Sequence, residues 1–217
     1  MKRILFFLTI VAIFAGCKEK GPAFNESDLV GTWVHVKTVS SDGHTTEDLP
    51  STWVLAADHT ETEYFGETNM SGGWKLEGDR IFDPDHPENY VTLTSLDNKH
   101  MTILIKPGDI TLTTSFIKME KILIGEWTVE WIADAQYVTI KEDGTSDWVQ
   151  AASGFTAGTH KWSINVDEKT GRPVIAYSSS LWYDNETVQS VRDNEIKVTN
   201  KGGGPGLYTR GKKVISE

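Results

Sequence analysis

The chain repeats itself, and that constrains its fold more than any other feature. Leu29-Val30-Gly31-Thr32-Trp33 returns 94 residues later as Leu123-Ile124-Gly125-Glu126-Trp127. Trp74 in Gly73-Trp74-Lys75-Leu76 returns as Trp162 in Lys161-Trp162-Ser163-Ile164. Ser95-Leu96-Asp97-Asn98 through Met101 matches Ser190 through Ile196, and Phe116-Ile117-Lys118 matches Tyr208-Thr209-Arg210. Landmarks in one order at near-constant spacing imply two copies of one structural plan. The copies span residues 27–120 and 121–217.

Each copy reads as β. Trp33 to Val39 alternates with period two, the signature of a half-buried strand. Tyr137-Val138-Thr139-Ile140 and Thr145 to Val149 flank Asp143-Gly144, which supplies the positive φ of a tight hairpin. Thr52 to Ala56, Thr60 to Phe65, Met101 to Ile105 and Ile110 to Thr114 complete the short strands. Sustained helical periodicity is absent beyond residue 16, apart from a turn at Ser27 to Leu29. Many short strands joined by turn signals give an antiparallel barrel or sandwich. The expected class is all-β, with two tandem small antiparallel β-barrel or meander units. One composite sheet built half from each copy is the alternative.

The second copy carries Gly125-x-Trp127, Asp143-Gly144-Thr145, Trp162, the pair Val191 and Ile196, and the closing Tyr208-Thr209-Arg210. This order resembles the lipocalin-like domains of bacterial lipoproteins. The first copy carries Gly31-x-Trp33 but departs at His59, in place of the turn glycine, and at Lys118, in place of the arginine. The resemblance implies that each tryptophan plugs one barrel end beneath a basic residue of the last strand. That pairs Trp127 with Arg210 and Trp33 with Lys118, as structural residues.

The N-terminus reads as an address. Lys2 and Arg3 precede an apolar run from Ile4 to Phe14, too short to span a bilayer but suited to a signal peptide. Phe14-Ala15-Gly16-Cys17 follows, and Cys17 is the sole cysteine. The four residues resemble a lipobox, with Phe14 where leucine is usual. The resemblance implies cleavage after residue 16, lipidation of Cys17 (palmitate among the acyl chains) and a tether over residues 17–26. Lys18, where an aspartate signals inner-membrane retention, points to the outer membrane of a Gram-negative envelope.

A formal net charge of −10 argues against nucleic acid as a partner. One cysteine excludes a disulfide framework. The six histidines show no close ligand spacing, so no metal and no cofactor is expected. No Gly-x-Ser-x-Gly elbow is present, and nothing singles out a carboxylate pair, so an enzyme is not expected. The remaining chemistry lies in eight tryptophans. Trp131 lies four residues from Trp127 and shares its strand face, towards the interior. Trp131, Trp148, Trp182 and Tyr183 are the candidate ligand contacts, either lining a cavity for a small apolar or lipid-like ligand or stacking on a glycan or protein partner. Core packing is the competing reading for each of them.

Overall fold

The computed structural model describes residues 24–131, 135–150, 156–178 and 185–212. The leader, Cys17, Trp182 and Tyr183 lie outside the described residues. In the first unit a single helical turn, α1 (Glu26–Leu29), leads into β1 (Gly31–Ser40), β2 (Thr45–Glu47), β3 (Ser51–Leu55), β4 (Thr60–Phe65) and β5 (Thr68–Gly73). Then come β6 (Lys75–Glu77), β7 (Arg80–Phe82), β8 (Tyr90–Leu96), β9 (His100–Ile105) and β10 (Leu112–Lys118). A second turn, α2 (Met119–Ile122), precedes β11 (Gly125–Trp131), β12 (Ala135–Ile140), β13 (Thr145–Gln150) and β14 (Thr156–Asp167). The chain continues through β15 (Arg172–Tyr177), β16 (Asn185–Arg192), β17 (Glu195–Asn200) and β18 (Pro205–Arg210).

Strands β11 to β18 form a closed antiparallel barrel. Strands β1 to β10 form a second, separate sheet in the order β5-β4-β3-β1-β10-β9-β8-β7-β6, with β2 beside β1. The two sheets follow one plan. In the barrel, the first half of β14 pairs with β13 and the second half, from Trp162, pairs with β15. In the first unit the same path is split at Trp74: β5 pairs with β4, and β6 pairs with β7. Both units are thus tandem antiparallel barrel sheets, as expected, and the composite sheet does not form.

Local chemistry explains the repeated landmarks. The Trp33 indole donates to the Leu29 carbonyl at 2.6 Å, and Trp127 donates to Leu123 at 2.7 Å. Trp74 donates to the Ala56 carbonyl and Trp162 to the Lys141 carbonyl, each at 3.0 Å. Asp143 accepts from the Thr145 amide at 2.9 Å across Gly144, whose φ is 78°. Asp58 accepts from the Thr60 amide at 3.0 Å across His59, which takes φ 66°. His59 therefore keeps the left-handed turn despite its side chain, and its ring lies 5.1 Å from that of Trp74. One expected strand moves: β10 starts at Leu112 rather than Ile110 and runs on to Lys118, because it pairs with β1 along Ser40 to Trp33.

Candidate functional site

In both units a base of the last strand lies over the Gly-x-Trp tryptophan. The Arg210 guanidinium lies 3.9 Å over the Trp127 ring, and the Lys118 ammonium lies 4.8 Å over the Trp33 ring. Arg210 donates to the carbonyls of Ile124 at 2.7 Å and Ile122 at 2.6 Å, while Lys118 donates to Asp28 at 2.6 Å. The glycine of each Gly-x-Trp is required by this. Gly125 has φ 132°, and a Cβ there would sit 2.5 Å from Arg210 Nη1. Gly31 has φ 147°, and a Cβ there would sit 2.9 Å from Lys118 Cε. Burial lowers the pKa of both bases, yet each keeps its carbonyl acceptors.

Above its plug the second barrel changes character. The inward residues nearest the plug, Trp127, Val138, Ile140, Val191 and Ile196, are all but inaccessible. At the opposite end Trp131, Gln136 and Gln150 are only half-buried. Trp131 presses its ring against Gly206 of β18, where a Cβ would collide with it. Trp148 is buried, donates to Ser146 Oγ at 3.0 Å, and meets the Tyr177 ring edge-on at 5.0 Å. Trp148 therefore presents no flat outer surface to a sugar.

Between plug and mouth sits a buried polar chain. The Tyr208 hydroxyl donates to Glu186 Oε2 at 2.5 Å. With that proton committed, Tyr177 donates to Tyr208 at 3.0 Å. Glu186 is fully buried, and its Oε1 has no hydrogen-bond partner among the described residues. Burial raises the Glu186 pKa to about 8, against a smaller lowering by Tyr208. Burial, then the neighbouring Glu186, pushes both phenols well above their usual range. At neutral pH the carboxyl is therefore mostly protonated, and Oε1 carries a proton with nothing to receive it. Such a group costs free energy unless something else satisfies it.

The fold does not demand this pair. The register that matches Trp127 and Arg210 to Trp33 and Lys118 places Phe116 where the second barrel has Tyr208. The bulge between Val188 and Ser190 in β16 recurs between Leu93 and Ser95 in β8, which places Val91 where the second barrel has Glu186. The same architecture thus stands with valine and phenylalanine. Glu186, Tyr177 and Tyr208 did not stand out in the sequence as a site. The available signal was an acid in the inward register of β16, two residues from Val188.

The first barrel holds a different interior. A cavity of about 500 Å³ is lined by Trp53, Phe116, Ile103, Leu112, His35 and Thr114. His35 is buried and satisfied, accepting from the Leu49 amide at Nδ1 and bonding Thr38 through Nε2. Burial lowers its pKa, so it is a neutral wall residue. A side opening of about 640 Å³ beside β5 is lined by Glu61 and Glu63, whose carboxyl groups are partly desolvated, which raises their pKa values. Among the described residues no group of three His, Cys, Asp or Glu side chains can hold a metal, and no helix is long and apolar enough to cross a membrane.

No family model matches the sequence, and no curated protein matches it. Among solved structures, a DUF3598-family protein of unknown function from Nostoc punctiforme PCC 73102 aligns over 84% of this chain and 96% of its own. Identity is 11% and the TM-score 0.26, a likeness too slight to bear on function.

Proposed function

We propose that this chain is a lipid-anchored, lipocalin-like carrier of the outer membrane that holds a small, mainly apolar ligand in its second barrel. The observation that carries the reading is Glu186. A barrel that needed only a packed core would place an apolar residue there, as the first barrel does with Val91. A buried carboxyl with an unused oxygen is a cost that ligand binding offsets. Trp148, Tyr177 and the half-buried Trp131 supply apolar walls for the rest of the ligand. The lipobox-like Phe14-Ala15-Gly16-Cys17 and the lysine after it support the anchor and its membrane. More than one acyl chain makes such an anchor firm, at about 0.8 kcal/mol per buried CH₂.

The test uses the full chain carrying Cys17→Ser, expressed with its leader. It should leave the membrane fraction or stay unprocessed, and native mass spectrometry of the detergent-free protein should show an added small-molecule mass. Introducing Glu186→Val together with Tyr208→Phe should keep the fold and lose that mass. A fully processed protein that stays membrane-bound after Cys17→Ser refutes the anchor. An unliganded mass from both forms refutes carriage.

A further inference from the structure

We infer that the ligand of the second barrel is a lipophilic amine, bound with its ammonium group against Glu186, and not a fatty acid or a neutral alcohol. The inference rests on the carrier reading and names the chemistry of that site. Glu186 is the one carboxyl in the buried polar chain, and its unpartnered Oε1 lies in the mouth half of the barrel: its strand position pairs with Asn200, at the end of β17 remote from Arg210. Arg210, on the inner face at the plug, is committed there by carbonyls and the Trp127 face. A fatty acid carboxylate would accept the Glu186 proton, but the pair would bury a net negative charge, and Arg210 is already committed to the plug. An ammonium group finds an oxygen acceptor and aromatic rings: Tyr208 bonds Glu186, Tyr177 bonds Tyr208, and Trp148 abuts Tyr177. Aromatic faces attract cations most strongly when desolvated.

The proton balance follows from the groups around the carboxyl. Tyr208 on β18 acts on it directly and Tyr177 on β15 bonds Tyr208, and both phenols stay neutral because burial raises them. On the flanking β17, Glu195 and Lys197 point to the outside, alternating with the buried Ile196 and Val198. His160 on β14 is a further ionisable group of the inner face, and its Nε2 also lacks a hydrogen-bond partner among the described residues. Free Glu186 holds its proton below about pH 8. An alkylammonium keeps its own to about pH 10, as a lysine does. Binding at neutral pH therefore forms an ammonium–carboxylate pair and releases one proton, from Glu186, to solvent.

The experiment compares octylamine, octanol and octanoate, each below its micelle concentration, by calorimetry on the full Cys17→Ser chain. Buffers of differing ionisation enthalpy read the proton count. Octylamine is expected to bind at least about tenfold more tightly than octanol, to release close to one proton at pH 7, and to tighten as pH rises towards 8. Octanoate is expected not to bind. Glu186→Gln keeps the shape and the Tyr208 contact, and should abolish the amine preference and the proton release while leaving octanol binding in place. Equal or tighter binding of octanoate, or unchanged octylamine affinity in Glu186→Gln, overturns the amine assignment and leaves carriage standing. Failure of all three probes to bind overturns carriage as well.

Discussion

Glu186 makes the stability of the molecule depend on pH with a definite sign. Its folded pKa is about 8 and its ordinary value 4.5. Between those values the unfolded chain has lost a proton that the folded chain keeps. Stability therefore falls as pH rises through that window and levels off above it. His100 titrates in the same direction. Partial burial works against its charge, but hydrogen bonds with Asp193 at 2.7 Å and Asp97 at 3.2 Å raise its pKa overall. Its contribution is complete below the unfolded value of 6.5 and is lost as pH rises through the raised one. The two effects separate by substitution. Urea midpoints of the wild type should fall between about pH 5 and about pH 9, and those of Glu186→Gln should fall less, since the Glu186 part is gone while those of His100, Glu61 and Glu63, opposed by His35, remain. Parallel pH curves for the two proteins would mean that Glu186 is ionised in the folded state.

At the scale of the element, the plug is a small machine made of one glycine, one tryptophan and one base. Gly125→Ala would force an L side chain into φ 132° and push its Cβ onto Arg210 Nη1, 2.5 Å away. Backbone strain alone costs about 1–3 kcal/mol, and displacing Arg210 also strips the carbonyls of Ile122 and Ile124 of their donor. Trp127→Ala removes a fully buried ring and should cost about 3–5 kcal/mol. Denaturant unfolding of both variants checks this, and a change under about 0.5 kcal/mol in either would remove the plug from the core. Such motifs were legible in the sequence because they are local. Gly-x-Trp, the Asp-Gly turn and the alternation of β1 each carry their own geometry. The chemistry above the plug was not legible, since Tyr208, Glu186 and Tyr177 lie on strands whose adjacency only barrel closure decides. The same non-locality hid the path shared by β14 in one unit and by β5 and β6 in the other, which are divided by the buried Trp74. It also hid the tilt of chemistry between the units, valine and phenylalanine in one against glutamate and tyrosine in the other.

The whole molecule is more than two barrels on a string. Met119, Ile122 and Leu123, between β10 and β11, are inaccessible and belong to the second unit's core, together with Val34 and Ile117 from the first sheet. Around that apolar joint Arg192 grips Asp48 with two hydrogen bonds of 2.7 Å and 3.2 Å, and Thr52 donates to the Gly171 carbonyl at 2.8 Å. His100 reaches across to Asp193. Apolar burial and the polar rim predict different sensitivities. Ile122→Ala deletes a fully buried side chain at the joint and should cost about 2–5 kcal/mol. Arg192→Ala removes a partly exposed ion pair, 39% accessible at the arginine, and should cost no more than about 1 kcal/mol. Because the core residues of the joint serve both units, the wild type should unfold in one cooperative step seen alike by tryptophan fluorescence and far-ultraviolet circular dichroism. Ile122→Ala should split or broaden that step, whereas Arg192→Ala should only shift it. Two separate transitions in the wild type would show that the barrels fold independently, and the second could then be studied as a carrier by itself.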